Sequence, residues 1–228
     1  MLAAHQPQFA PWLGFFDKLD RADVFVLLDN VQFKKNEWQN RNRIKGAAGP
    51  QWLTVPVSGR FGQEIGELNI AQRENWQERH LKTLRTCYGR APHFPETFAR
   101  YQQLACRPWR KLADLNIGLL NDLLAQMGLA KRVLLASELG PLPENRDDRL
   151  IELCRKCGAK TYLAGAGGRD YMEMERYGAA GLEVVFQDYR HPSYPQLFGA
   201  FTANLSVLDL LFNCGPASME VIRGGRAA

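Results

Sequence analysis

The chain has no apolar run near the roughly 20 residues that a membrane-spanning helix requires, although it is 228 residues long. Its first residues, Met1-Leu2-Ala3-Ala4-His5, lack the basic lead-in and long apolar core of a signal peptide. Both absences predict a cytoplasmic protein with no membrane partner. Cysteine is sparse: Cys87, Cys106, Cys154, Cys157 and Cys214 are odd in number and scattered, which excludes a regular disulfide framework. Cys154-Arg155-Lys156-Cys157 has the spacing of half a zinc site or a redox pair. No second CxxC or His pair completes a metal site, and the two thiols fall late in an expected helix, where a thiolate gains nothing from the helix dipole. No metal ligands are therefore assigned. Internal repeats, low-complexity tracts and linkers are also missing, so residues 1–228 read as one domain.

What is present is ordinary globular composition, 46% hydrophobic and 23% charged. The 29 basic and 24 acidic residues leave a net charge of +5, too small to make nucleic acid the expected partner. The charge is concentrated, however. Lys34, Lys35, Arg41, Arg43 and Lys45 face a single acid, Glu37, in one short segment.

Strands and helices alternate along the chain. Met1–Ala4 and Val24–Leu28 read as strands, the second apolar throughout and so buried on both faces of a parallel sheet. A helix is expected over Pro11–Arg21 and a third strand over Trp52–Val57. Helical spacing over Asn75–Tyr88, Phe94–Leu104 and Trp109–Met127 predicts an insertion at about 74–128, with His80 and His93 on its surface. Alternation resumes with strands at Val133–Leu135, Thr161–Leu163 and Leu182–Phe186, and helices at Asp148–Cys157, Arg169–Tyr177 and Val207–Phe212. The fold predicted is α/β, a doubly wound parallel sheet of five or six strands with a helical insertion.

Ligands of such sheets bind beyond the carboxyl ends of the strands. His5 and Gln6 follow the first strand; His5 is a candidate acid, base or donor, or a buried histidine tied to a carbonyl. Asp29 ends the second strand, as a candidate acid/base or magnesium ligand, or as a cap. The stretch containing Gln32, Lys34, Trp38, Asn40, Arg41 and Arg43 combines amides, guanidinium groups and an indole, a pattern suited to a phosphate-bearing small molecule. Gly165, Gly167 and Gly168, before Arg169, form a strand-to-helix turn that can bare backbone N–H groups to an anion. His191, Tyr194 and Gln196 sit in a proline-stiffened loop that either completes a site or packs.

His5-Gln6-Pro7-Gln8-Phe9-Ala10-Pro11-Trp12-Leu13-Gly14, Leu28-Asp29-Asn30-Val31-Gln32-Phe33, Trp38-Gln39-Asn40-Arg41-Asn42-Arg43 and Asn204-Leu205-Ser206-Val207-Leu208-Asp209 closely resemble the WbqC-like family. The resemblance covers nearly the whole chain. It implies a role in bacterial O-antigen, lipopolysaccharide or other surface-glycan synthesis, where some members are labelled glycine or acyl transferases on amino sugars. From their positions after the strands, His5, Asp29 and His191 are the catalytic candidates, and Trp12 is placed among the substrate contacts. A fainter likeness is to the HIGH-type nucleotidyltransferases: Asn30-Val31-Gln32-Phe33 is similar to a motif of pantothenate synthetase, an ATP-dependent amide ligase. Trp12 and Phe15 stand where that motif carries its two histidines, so His5 and the Lys34–Arg41 cations would take over their charge. The function implied is acylation or aminoacylation, with glycyl included, of an amino sugar on a nucleotide; ATP with Mg and an acyl-CoA are the cofactors left open. A non-catalytic nucleotide-sugar binding module is the alternative.

Overall fold

The computed structural model describes residues 1–60, 62–72 and 75–226. The chain opens with β1 (Leu2–His5), α1 (Leu13–Arg21) and β2 (Val24–Leu27). A long excursion follows: β3 (Arg41–Gly46), β4 (Gly49–Thr54), β5 (Val57–Ser58), β6 (Asn69–Ile70), α2 (Trp76–Tyr88), α3 (Phe94–Ala105) and α4 (Leu112–Gln126). Alternation then returns with β7 (Arg132–Leu135), α5 (Arg146–Lys156), β8 (Thr161–Ala164), α6 (Met174–Ala179) and β9 (Glu183–Phe186), before α7 (Val207–Cys214) and α8 (Ser218–Arg223).

Five strands form an all-parallel sheet in the order β7-β2-β1-β8-β9. Its strands alternate between two cores. Ala3, Phe25, Leu27 and Leu163 join α1, α7 and the inserted helices on one face. Leu2, Ala4, Val24, Val26, Tyr162 and Ala164 meet α5 and α6 on the other. This two-sided burial is why β2 reads as an unbroken apolar run. Each of the buried Val, Leu and Phe side chains stabilises the sheet by about 1.5–3 kcal/mol.

The expected third strand, Trp52–Val57, is not in this sheet. Its residues divide between β4, antiparallel to β3, and β5, antiparallel to β6. The excursion therefore spans everything between β2 and β7, and the three predicted helices are its second half. The cationic stretch is also partly strand: Arg41, Arg43 and Lys45 share one face of β3, alternating with buried Asn42 and Ile44. Around Arg169 a 3-10 turn (Ala166–Asp170) precedes a short α6, in place of one helix over Arg169–Tyr177. His80 is 3% exposed rather than on the surface. Its ring joins Tyr101 Oη and the Thr54 carbonyl, both at 2.8 Å, and so staples α2 to α3 and β4.

Among the described residues no helix is long and apolar enough to cross a membrane. All five cysteines are free, and burial pushes the Cys154 thiol up to about 12, which fits a packed residue rather than a redox thiolate.

Candidate functional site

From β1 the chain crosses to β2 on one side, while β8 lies on the other, so the sheet's switch point falls between β1 and β8. The carboxyl ends of these two strands diverge there. A cleft of about 750 Å³ opens at that place, lined by His5 at the end of β1 and Gln6 after it, Lys18 of α1, Lys34, Arg146 and Arg149 of α5, and the Gly165–Gly168 turn after β8.

Its charge is one-sided. Lys18, Lys34, Arg146 and Arg149 line the cleft, and no acidic side chain does among the described residues. Gly165 and Gly167 have nothing within 4 Å of where a Cβ would stand, which leaves their backbone open to a ligand.

Lys18 is the group that sequence reasoning missed. It sits on the buried side of α1, 5% exposed, donates to the Ala4 carbonyl at 2.9 Å and lies 5.9 Å from the Tyr162 ring centre. Among the described residues no carboxylate pairs with it; neighbouring Asp17 turns to Arg226 and Gln187 instead. Burial pulls its ammonium down to about 8. The signal was available: a lysine between Phe16 and Leu19, in a helix whose residues from Leu13 to Leu19 are all buried, is a charge with an assignment to find. Arg146, Arg149, Gln187 and Tyr189 were likewise overlooked as cleft residues.

His5 is held neutral. Burial first, and the Lys18 charge second, push it down to about 4. Its Nδ1 lies 3.1 Å from the Gln6 carbonyl and must carry the proton to bond there, so Nε2 keeps its lone pair. The ring edge rests on Phe15, itself buried in the core. Gln6 is fixed by Gln39, whose Nε2 donates to Gln6 Oε1 at 2.7 Å.

Trp12 closes one side of the cleft and also lines a second cavity of about 420 Å³ with Trp38, Arg43 and Asn204. Its indole lies so close over Gly14 that a Cβ there would stand 2.2 Å from the ring.

The structure thus gathers His5, Gln6, Trp12, Lys34, Gly165, Gly167 and Gly168 at the main cleft, and Trp38 and Arg43 beside it. Other candidates lie elsewhere. Asp29 accepts from Ser137 N at 3.0 Å and Ser137 Oγ at 2.6 Å, capping the turn after β7. His191 Nδ1 meets the Pro192 carbonyl at 3.0 Å, and its ring packs on Phe201. Tyr194 and Gln196, with Tyr88, donate to buried Asp209. Asn40 donates to the Val55 carbonyl, Gln32 bridges to Glu64, Arg41 stacks on Trp52 at 4.1 Å, and Arg169 lies over Phe186 at 5.1 Å. The expected convergence of His5 with the whole cationic stretch is therefore replaced by two sites: Lys34 lines the main cleft and Arg43 the second cavity, while Arg41 is held by Trp52 and Lys45 donates to Gln196 and the Ala200 carbonyl.

An α/β domain with an anion-receptive cleft at its switch point is the class of protein these features define. The chain belongs to the WbqC-like protein family, whose family model matches residues 6–221. It is similar to the "Uncharacterized protein Rv1507c" of Mycobacterium tuberculosis (strain ATCC 25618 / H37Rv), at 33% identity over 226 residues, 97% of each chain. No solved structure gives a significant match.

Proposed function

We propose that this protein is a cytoplasmic transferase of surface-glycan synthesis that acylates or aminoacylates an amino sugar carried on a nucleotide. One observation carries the reading: a buried ammonium, Lys18, faces an acid-free cationic cleft at the sheet's switch point. Burying a charge without a counter-ion is costly, and the diphosphate of a nucleotide-sugar supplies the missing one. Lys34, Arg146 and Arg149 add to that field, and the open Gly165–Gly167 backbone gives phosphate oxygens close approach.

His5 is the base of this reading. In the empty cleft its basicity is suppressed by burial and by Lys18. A phosphate beside Lys18 offsets that charge, the second cause of the lowering, and so makes His5 a stronger base than in the empty cleft. The substrate amine then bonds to the acyl carbon, its proton passes to His5 Nε2, and the donor's leaving group departs with the bond's electron pair.

The test is turnover and affinity measured separately. His5→Ala is expected to abolish acyl transfer and leave nucleotide-sugar affinity within about threefold. Lys18→Met is expected to lose at least roughly tenfold in affinity, since a hydrogen bond to a charged group contributes about 1.5–3 kcal/mol. Unchanged turnover in His5→Ala removes it as the base; saturable binding without any transfer moves the protein to the binding-module reading.

A further inference from the structure

We infer that the second cavity is a carboxylate subsite, which seats a ring-sized organic acid against Arg43 between Trp12 and Trp38. It rests on the phosphate reading of the main cleft, with which it shares the Trp12 wall.

The Arg43 guanidinium carries the argument. Its side chain has no hydrogen bond, ion pair or ring contact among the described residues, and its Nε is buried without a partner. Arg41, two residues earlier on the same strand, also has a buried Nε without a partner, but its guanidinium stacks on Trp52 and donates to the Asn36 carbonyl, which Arg43's does not. An arginine is always charged and presents a planar fork matched to a carboxylate. No acidic residue among those described lines this cavity, so an anion for Arg43 comes from outside.

The rest of the lining says what body that anion is attached to. Trp12 and Trp38 offer indole faces, suited to the C–H face of a pyranose or to a hydrocarbon ring. Trp12 is held by its contact over Gly14, and Trp38 rests on Trp52 at 5.4 Å between ring centres. Asn204 adopts φ 59°, and the backbone just beyond it is tied to β3 by the Ser206 N–H to the Arg43 carbonyl at 2.8 Å. The backbones that carry the amide and the guanidinium are therefore tied together. A volume of about 420 Å³ suits one such ring with its substituents. A single cation favours a singly charged carboxylate, whereas four cations mark the main cleft for phosphate. An amino sugar's ammonium would be repelled by Arg43, so the cavity belongs to the acid partner: either an acyl donor's carboxylate or that of a uronic acid ring.

Calorimetric titration of the full chain with sodium glucuronate, sodium 3-phenylpropionate and glucose tests this. At least one acid is expected to bind saturably and tighter than glucose. Preference for glucuronate assigns the carboxylate to a sugar, and preference for phenylpropionate assigns it to an acyl donor. Arg43→Gln is expected to weaken the acid roughly tenfold or more. Trp38→Ala, a change at a partly exposed side chain, supplies the answer where Arg43→Gln does not fold, and is also expected to weaken it. No acid binding by the wild type, glucose binding as tightly, or acid affinity unchanged in these variants would overturn the inference. Pyrophosphate titration of Lys18→Met reads the main cleft independently. Loss of pyrophosphate binding there with acid binding retained separates failure of one site from failure of the other.

Discussion

An ammonium bonded to one carbonyl inside a protein leaves two of its donors unused, and Lys18 is in that state. Its depressed proton affinity gives two opposite pH effects. The unfolded chain holds this proton up to its ordinary value near 10.5, while the folded chain releases it near 8. Stability from this group therefore rises as pH climbs from 8 to 10.5, while anion affinity falls over the same rise because the ammonium is lost. Thermal unfolding with and without pyrophosphate, at pH 7.5 and pH 9.5, should show the ligand's stabilisation shrinking at the higher pH. His5 and His80, both pushed down to about 4 by burial, act at the acid side. They stay neutral when folded but take up protons near 6.5 when unfolded, so stability is lost as pH falls from 6.5 toward 4. His80→Leu should cost about 2 kcal/mol in chemical unfolding, since it strands the Tyr101 hydroxyl and the Thr54 carbonyl.

Elements decide which candidate residues reach the ligand. The turn after β7 is capped by Asp29 through Ser137, a structural task for a carboxylate that sequence position alone made a catalytic candidate. Asp29→Asn should lower stability by about 1 kcal/mol in urea unfolding and leave pyrophosphate affinity unchanged. The strands of the main sheet were legible because two buried faces force unbroken apolar runs such as Val24-Phe25-Val26-Leu27. The β3–β4 hairpin was not, because its polar strand Arg41–Gly46 shows no clean alternation and borrows its buried side from the inserted helices. With that hairpin unseen, Arg41 and Arg43 read as one patch although they serve different neighbours. Lys18 was hidden for a different reason: α1 reads as an amphipathic helix, in which a lysine is expected to face solvent.

The whole molecule ties the cleft to its own C-terminal segment. Arg226 bonds Asp17 at 2.6 Å and also pairs with Asp20, while Arg223 reaches Asp20 at 2.8 Å. Asp17 is fully buried and also takes Gln187 Nε2 at 2.7 Å, and Gln187 lines the cleft. Arg226→Met leaves that buried carboxylate without its cation, at a cost of about 3 kcal/mol or more in chemical unfolding. The order of the five strands then explains why so distant a segment matters: the switch point lies over α1, and α1 carries both Lys18 and Asp17.

Thermal unfolding of the wild type and Lys18→Met across ATP, an acyl-CoA, a UDP-sugar and a dTDP-sugar tests the anion-receiving cleft most directly. At least one of these ligands should raise the wild-type midpoint saturably and leave that of Lys18→Met unmoved. No shift with any of them, or equal shifts in both proteins, would contradict the account.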